Sequence, residues 1–150
     1  MQQQDVVQVV AIEQSATRFP WSEKNFIDCL KTGYQATIFY QQENEIIGFS
    51  IIQQVVDEAH LLNICVKPEN QGQGLGREIL NHAIDYAKTI SAHLIVLEVR
   101  QSNHRAKQLY LQTGFNEMAV RSGYYPAKDG REDAILMGMD LASSSFFNLS

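Results

Sequence analysis

Hydrophobic side chains recur at helical spacing in four stretches of the chain, and this periodicity predicts four helices. Ser22 is a suitable N-cap for the second helix, and Gly33 is a suitable residue to end it. Gly114 ends the fourth helix in the same way. The predicted helices are Val6 to about Ala16, Glu23 to about Lys31, Leu75–Ser91, and a short segment that includes Ala106, Leu109 and Tyr110.

Six apolar runs predict β-strands. The polar residues 42–45 form a hairpin turn between the first two runs, and Asp57-Glu58 forms the next turn. Leu94–Leu97 is uninterrupted by polar residues, which suits a strand covered on both faces. The predicted strands are Gln35–Gln41, Ile46–Val56, Ala59–Val66, Leu94–Leu97, Phe115–Val120 and Ala134–Met139. The order of these elements predicts an α/β fold that combines hairpins with a βαβ unit.

The length and composition narrow the class of protein. A chain of 150 residues is expected to form a single domain over 1–150, with a tail at 142–150 that could be loose. A hydrophobic fraction of 45% and a charged fraction of 19% exclude a disordered chain. The first ten residues lack the pattern of a signal peptide, and no apolar run is long enough for a membrane helix, so a cytoplasmic protein is expected.

The charge and the cysteines exclude further classes. A net charge of −5 argues against a nucleic-acid-binding module, which usually presents a basic face. A mildly negative net charge is compatible with a basic partner. It is also common in soluble proteins, where it only limits association between molecules. Two cysteines, Cys29 and Cys65, provide neither a disulfide framework nor a metal set. The four histidines share no metal-ligand spacing, so no metal is expected.

The glycine-rich segment Gln71–Arg77 carries the strongest chemical signal. It lies between a predicted strand and the start of the long helix. Glycines there allow a ligand to approach the backbone closely, and the N–H groups at the helix start can bind an anion. This arrangement suits a pyrophosphate. The dinucleotide fingerprint G-x-G-x-x-G fails because Arg77 replaces its third glycine, and the P-loop fails because no Lys-Ser/Thr follows the glycines.

Several other residues allow two interpretations from the sequence alone. Glu98 interrupts a buried apolar run, so its carboxylate could act as a general base, pair with Arg100, or lie in water at the strand end. Tyr110 could be catalytic or could pack with its hydroxyl satisfied. Cys65 could form an acetyl-cysteine, although no placed base would activate it, so a small buried apolar residue is expected.

Two motifs resemble the GNAT superfamily of acetyl-CoA-dependent N-acetyltransferases. Gln71, Gly74 and Gly76 match its pyrophosphate-binding pattern Q-x-x-G-x-G. The segment 103–115 is similar to its N-x-x-A-x-x-L-Y-x-x-x-G-F pattern, with Asn103 and Tyr110 at the functional positions. The resemblance implies the GNAT fold, with a mixed central sheet of about seven strands flanked by about four helices, and acetyl-CoA as co-substrate.

Four segments resemble one subfamily, the bacterial RimI ribosomal-protein-alanine N-acetyltransferases. They are Phe19-Pro20-Trp21-Ser22-Glu23-Lys24, Leu97-Glu98-Val99-Arg100, Tyr124-Tyr125-Pro126 and Gly130-Arg131-Glu132-Asp133-Ala134. The resemblance spans roughly Asp5 to Leu141. It implies transfer of an acetyl group from acetyl-CoA to the N-terminal alanine of a small-subunit ribosomal protein. A basic ribosomal-protein terminus is therefore the expected partner, with no nucleic acid and no membrane.

The resemblance also implies residue roles. Glu98 is expected to accept the proton of the amine, and Tyr110 is expected to donate a proton to the departing thiolate. Trp21, Tyr124 and Tyr125 are expected to bind the acceptor peptide, although Trp21 could simply belong to the core. A main-chain N–H near Val66 is expected to stabilise the oxyanion. The expected acetyl-CoA contacts are Ile64, Cys65, Val66, Gln71, Gly72, Gln73, Gly74, Leu75, Gly76, Arg77 and Asn103.

Two alternatives remain open from the sequence. The same fold could acetylate another amine, such as lysine, a polyamine or an antibiotic. A CoA-binding module without turnover is the other possibility, although such a module would need neither Glu98 nor Tyr110. Glu132 and Asp133 could meet a basic peptide or could belong to a solvated loop.

Overall fold

A computed structural model of the protein describes residues 1–42 and 44–141. The predicted tail at 142–150 lies outside the described residues. Two short 3-10 helices, Gln3–Asp5 and Pro68–Asn70, accompany the regular elements. The α-helices are α1 (Val6–Ala16), α2 (Glu23–Thr32), α3 (Leu75–Thr89) and α4 (His104–Thr113), and the strands are β1 (Gln35–Gln42), β2 (Glu45–Val55), β3 (Glu58–Val66), β4 (Leu94–Arg100), β5 (Asn116–Ala127) and β6 (Gly130–Asp140).

The strands form a mixed sheet in the order β1-β2-β3-β4-β6-β5. The described residues contain six strands, one fewer than the expected number of about seven. The seventh strand came from the family resemblance alone, because the chain has only six apolar runs that suit strands. The expectation of an α/β fold with four helices is confirmed.

The chain divides into two compact units. The first unit comprises Met1–Gln53 and Leu61–Ala83, and the second comprises Gln54–His60 and the chain from Ile84 onward. The first unit holds α1, α2 and β1, together with most of β2, β3 and α3. The second unit holds β4, α4, β5 and β6. Each unit carries part of the predicted site.

The core of the first unit forms between the two N-terminal helices and β2. Phe26 of α2 is fully buried and meets Phe49 of β2 edge to face, with ring centroids 5.5 Å apart. The predicted ends of α2 are confirmed, because the Ser22 hydroxyl accepts from the Asn25 N–H and Gly33 adopts φ +84°. Helix α2 therefore begins and ends where its capping residues lie.

Gly48 of β2 allows the start of α3 to lie close to the sheet. A Cβ atom at Gly48 would lie 2.7 Å from Ile79 Cδ1 and 2.8 Å from the Cys65 carbonyl oxygen. Both distances are shorter than real Cβ contacts allow, so a side chain at this position would displace the Cys65 backbone of β3 as well as the Ile79 side chain of α3. Because α3 begins immediately after the glycine-rich segment, this packing also positions that segment.

The second unit is built on three antiparallel strands. Strand β6 lies between β4 and β5, with Glu98 opposite Leu136 and with both Arg100 and Arg121 opposite Ala134. Since side chains alternate between faces along a strand, Glu98, Arg100 and Arg121 lie on one face of this unit. Strand β4 is buried on both faces, as its uninterrupted apolar run predicts.

Several element boundaries differ from the predictions. The turn after β2 lies at Val56 and Asp57, with Val56 at φ +56°, and Glu58 already belongs to β3. Helix α3 ends at Thr89 rather than Ser91. Strands β4, β5 and β6 are longer than their apolar runs, because cross-strand pairing continues into polar residues. Among the described residues, no helix is long and apolar enough to cross a membrane.

Candidate active site

The glycine-rich segment has the backbone conformation that an anion site needs. Gly72 adopts φ +80° and Gly74 adopts φ +84°, a left-handed conformation that side chains disfavour. A Cβ atom at Gly74 would meet nothing within 4 Å, so this glycine is required by the backbone conformation rather than by crowding. Helix α3 begins directly afterwards at Leu75 and presents its first N–H groups at the segment.

The side chain of Gln71 ties the segment back to β3. Its Nε2 donates to the Val66 carbonyl oxygen at 3.0 Å. The neighbouring Lys67 N–H donates to the Ile47 carbonyl oxygen at 2.7 Å, so the chain leaving β3 is anchored to β2. Gln73, Gly76 and Arg77 lie within or next to the first turn of α3. The donors are main-chain N–H groups at the positive end of the α3 dipole, so the residues present fit a pyrophosphate.

Cys65 of β3 is a packed thiol. Burial, with a contribution from the Glu13 carboxylate, raises the pKa of Cys65 to about 12. Such a thiol holds almost no thiolate at neutral pH, which argues against a nucleophilic role. The geometry therefore supports the interpretation of Cys65 as a small buried residue. Its neighbours Ile64 and Val66 are half-buried.

A buried carboxylate, Glu13 of α1, is a feature that the sequence analysis missed. Its Oε2 accepts from the Trp21 N–H at 2.9 Å and from Asn63 Nδ2 at 3.0 Å. Burial raises the pKa of Glu13, and the two hydrogen bonds oppose that shift. The ring of Trp21 lies 5.3 Å from the Phe26 ring, so Trp21 packs against the core.

In the second unit, Glu98 is ion-paired with a residue that the sequence did not indicate. Its Oε1 lies 3.2 Å from Arg121 Nη2, and the Glu98 side chain is 22% exposed. The suggested partner Arg100 instead lies 3.0 Å from Glu132 and donates to the Pro126 carbonyl oxygen. Of the three interpretations of Glu98, the pairing with Arg100 was therefore wrong. The side chain is also not at a solvent-exposed strand end.

Tyr110 is buried at the end of α4. The centroids of the Tyr110 and Phe115 rings lie 5.9 Å apart. Gly114 ends the helix with φ +118°. Burial, followed by the nearby Tyr125, raises the pKa of Tyr110 strongly. The hydroxyl therefore keeps its proton at any physiological pH and is suited to donate rather than to accept.

Tyr125 lies near both Glu98 and Tyr110. Burial, then Glu98 and then Tyr124, raise the pKa of Tyr125 to about 12, and the nearby Arg100 partly opposes the shift. The Arg100 guanidinium lies 4.5 Å from the Tyr125 ring centroid, and the Tyr124 ring packs edge to face at 5.0 Å. The second unit thus brings together the predicted base, the predicted acid and the two predicted peptide-binding tyrosines.

Asn103 and the acidic pair at 132–133 have structural partners. The side-chain oxygen of Asn103 accepts from the Ala106 N–H at 3.2 Å and caps α4. The Glu132 carboxylate binds Arg100 and the Ser102 N–H, and that of Asp133 accepts from the Gly123 N–H. Glu132 and Asp133 therefore belong to a paired strand of a hairpin, so the solvated-loop alternative was wrong.

One histidine lies beside acidic groups that its spacing did not reveal. In the part of the chain that the structure describes, ligand atoms of Asp57, Glu58 and His93 lie within 4.8 Å of one another. His93 Nδ1 lies 3.1 Å from an Asp57 carboxylate oxygen, and both side chains are exposed. Exposed groups of this kind are common without an ion, so the cluster carries no assignment.

The family follows from comparison with known proteins. Residues 6–115 match the model of the acetyltransferase (GNAT) family. The chain belongs to the GNAT acetyltransferase family. It is therefore an acyltransferase, and GNAT acetyltransferases use acetyl-CoA as their co-substrate. The expectation drawn from the two sequence motifs is confirmed at the level of family and fold.

The GNAT relatives narrow the comparison further. The chain is 46% identical over 131 residues to the Escherichia coli K12 enzyme named [ribosomal protein bS18]-alanine N-acetyltransferase, covering 87% of this chain and 88% of that protein. The crystal structure of the ribosomal-protein-S18-alanine N-acetyltransferase from Escherichia coli matches with a TM-score of 0.87 at 43% identity, covering 94% of this chain and 90% of that one. The predicted subfamily is thus confirmed.

A more distant GNAT structure shows the fold alone. A spermidine N-acetyltransferase variant from Vibrio cholerae matches with a TM-score of 0.78 at 20% identity, covering 93% of this chain and 92% of that one. The same fold thus serves a small-molecule amine in that protein. Fold similarity by itself does not select the acceptor, which must be argued from the side chains of the site.

Proposed function

We propose that this chain transfers the acetyl group of acetyl-CoA to the N-terminal α-amine of a protein, namely the N-terminal alanine of ribosomal protein bS18. The observation that carries the proposal is the 46% identity, over 87% of this chain, to an enzyme named for that acceptor. The net charge of −5 complements a basic ribosomal-protein terminus. A ribosomal-protein acceptor implies that the enzyme acts in the cytoplasm.

The first unit would hold the co-substrate. The N–H groups at the start of α3 and the glycines Gly72, Gly74 and Gly76 bind the pyrophosphate, and the Arg77 side chain adds positive charge. Leu75 and the chain at Ile64, Cys65 and Val66 complete the contacts along β3 and α3. In the second unit, Asn103 contacts the pantetheine arm through its amide group.

Glu98 is the proton acceptor in this proposal. Acetyl-CoA supplies an acetyl group that is activated as a thioester. As the amine nitrogen bonds to the acetyl carbon, Glu98 takes the proton that the nitrogen loses, directly or through one water. A main-chain N–H near Val66 stabilises the negative charge that develops on the acetyl carbonyl oxygen.

Tyr110 is the proton donor. Its hydroxyl gives a proton to the sulfur as the carbon–sulfur bond breaks. The burial that keeps Tyr110 protonated also makes its anion costly, so Tyr110 must regain a proton, and Glu98 must release the proton it gained, before the next turnover. The products are the N-acetylated protein and CoA with a free thiol, and both residues end in their starting protonation states.

An N-terminal α-amine suits a site with a single carboxylate. The pKa of an α-amine is ~7.8 and that of a lysine side chain is ~10.4, so the neutral α-amine is easier to present by ~3.5 kcal/mol. Trp21 of the first unit and Tyr124 and Tyr125 of the second unit are each proposed as contacts of the acceptor peptide. The exposed ring of Tyr124 and the half-buried ring of Tyr125 support this assignment.

The acceptor is tested with two short peptides. CoA release from acetyl-CoA is measured with a peptide that begins Ala-Arg, and with the same peptide N-terminally blocked but carrying a free lysine. Turnover only with the free α-amine supports N-terminal acetylation. Turnover only with lysine would overturn it, and silence with both peptides despite tight CoA binding would point to a small-molecule acceptor or to a module without turnover.

The catalytic roles are tested with matched variants. Glu98→Gln and Tyr110→Phe are each expected to lose most of the rate while keeping the affinity for acetyl-CoA. Glu117→Gln and Tyr86→Phe make the same chemical changes at positions outside the proposed site, and both should turn over like the wild type. Unchanged rates in both active-site variants would show that the roles are wrong.

A further inference from the structure

Arg121 forms an ion pair with Glu98, the carboxylate that accepts the proton of the acceptor amine in the proposed function. The distance from Arg121 Nη2 to Glu98 Oε1 is 3.2 Å. Arg121 belongs to β5 and Glu98 to β4, so the guanidinium reaches across β6. The residue of β6 opposite Arg121 is Ala134, whose small side chain leaves room for this crossing.

The guanidinium is held by an aromatic ring and remains accessible. Its Cζ lies 5.2 Å from the Tyr124 ring centroid, within the range of a cation–π contact. The Arg121 side chain is 53% exposed, whereas Glu98 is 22% exposed. An amine that approaches Glu98 therefore meets the guanidinium beside the carboxylate.

Two further charged residues of this face, Arg100 and Glu132, are paired with each other. Arg100 of β4 lies 3.0 Å from Glu132 of β6, so these two charges balance. Tyr125 lies near Glu98 and is neutral, since its pKa is raised to about 12. Arg121 is therefore the cation that balances Glu98, and together the two groups present a neutral ion pair.

A neutral ion pair binds a cation more weakly than a bare carboxylate does. An ammonium group that comes close to Glu98 also comes close to the guanidinium, and like charges disfavour the charged form. The chemical step requires the neutral amine, because only its nitrogen carries a free electron pair. A bare carboxylate would instead capture protonated amines, and lysine side chains are protonated at neutral pH.

We propose that Arg121 is a specificity-determining residue that prevents unproductive capture of protonated amines by Glu98. This inference rests on the proposed function, because it requires an acceptor amine at Glu98. The guanidinium lowers the affinity of the site for ammonium groups and favours loss of the proton from the bound α-amine. Amines that are strongly basic, such as lysine side chains and polyamines, are thereby disfavoured as ligands.

The proposal is tested with Arg121→Gln, which removes the charge but retains a donor for Glu98. The first measurement is inhibition of the Ala-Arg peptide reaction by an N-terminally blocked lysine peptide. The inhibition constant is expected to fall roughly three- to tenfold in the variant, in line with a partly exposed charge pair. A blocked peptide with leucine in place of lysine should not change its inhibition.

The second measurement is the pH dependence of turnover. The pH midpoint of kcat reports the pKa of the amine in the bound peptide. The midpoint of kcat/KM that lies near the ordinary pKa of an α-amine reports the amine of the free peptide. In Arg121→Gln the kcat midpoint is expected to rise by roughly half a unit or more, because an unbalanced carboxylate retains the ammonium form. The pH midpoint of kcat/KM should not change. A residue with a purely structural role would move neither midpoint.

Two control variants define the outcome. Arg121→Lys keeps the charge and should retain the wild-type inhibition constant and midpoint, whereas Lys88→Gln removes an exposed cation elsewhere and should change neither. Melting temperatures of all variants show that they are folded. An unchanged inhibition constant and kcat midpoint in folded Arg121→Gln would overturn the inference alone, whereas a wild type that fails to acetylate the Ala-Arg peptide would overturn the proposed function.

Discussion

The carboxylate of Glu13 accepts a hydrogen bond from the side chain of Asn63, which lies 50 positions further along the chain. The same oxygen accepts from the backbone N–H of Trp21. One buried carboxylate on α1 thereby holds both β3 and the segment that joins α1 to α2. Since Trp21 is a proposed peptide contact, Glu13 fixes the backbone of one proposed acceptor contact within the first unit.

Glu13 makes the stability of the protein depend on pH. Burial raises its pKa in the folded state, so the stability it contributes is fully present below the unfolded pKa of ~4.3 and is lost as pH rises through the folded pKa. Glu13→Gln cannot titrate. We expect the melting temperature of the wild type, relative to Glu13→Gln, to fall as pH is raised from about 4.3 towards 8. Parallel melting curves across this range would contradict the prediction.

Glu13→Ala separates the hydrogen bonds from the charge. It leaves the Trp21 N–H and the Asn63 amide without their acceptor, and each lost partner costs about 1–3 kcal/mol. We expect its free energy of unfolding at pH 7, measured in urea, to be well below that of Glu13→Gln, which keeps an acceptor oxygen. Equal values for the two variants would show that the hydrogen bonds contribute little.

Two glycines with the same backbone angle provide a matched test of the anion site. Gly74 and Gly33 both adopt φ +84°, and a Cβ atom at either would meet nothing within 4 Å. Alanine at each position should therefore cost a similar ~1–2 kcal/mol of stability. Only Gly74→Ala is expected to raise KM for acetyl-CoA, several-fold, because Gly33 only ends α2. Equal KM values for acetyl-CoA in both variants would contradict the proposal that the glycine-rich segment binds acetyl-CoA.

The pair Arg100–Glu132 predicts acid sensitivity of the second unit. Hydrogen bonds from Ser102 and Arg100 lower the pKa of Glu132 in the folded state. Its contribution to stability is thus present above the unfolded pKa of ~4.3 and is lost as pH falls through the lowered folded pKa. In urea unfolding between pH 3 and 7, the advantage of the wild type over Glu132→Gln should shrink at the acid end. A constant advantage would argue against the pairing.

The turn between β2 and β3 contains a residue in an unfavourable conformation. Val56 adopts φ +56°, which a β-branched side chain disfavours, and its side chain is 87% exposed. Val56→Gly should raise the free energy of unfolding by about 0.5–1 kcal/mol, since relief of the backbone outweighs the added freedom of the unfolded chain. Val55→Gly, one residue earlier in β2, should lower it by a similar amount. Thermal denaturation of both variants would decide, and a less stable Val56→Gly would contradict the turn geometry.

The sequence by itself determined the helices, the runs that form strands and the glycine segment. These features depend on neighbours within a few residues, such as the Ser22 cap and the Gly33 end of α2. The motif residues at 71–77 and at Tyr110 likewise indicated the family, because their spacing along the chain is itself the signal. The long polar ends of β5 and β6 were missed, because their pairing with each other holds them as strands.

Only the tertiary structure decided which polar groups meet. Nothing in the spacing of Glu98 and Arg121 indicates contact, and the nearer Arg100 was the more obvious partner in sequence. The pairing depends on the register of β4, β6 and β5, in which Arg121 lies opposite Ala134. Side-chain charge is a local property, but its neutralisation requires a partner in space. That partner is set by strand register, which hydrophobic periodicity along one strand does not encode.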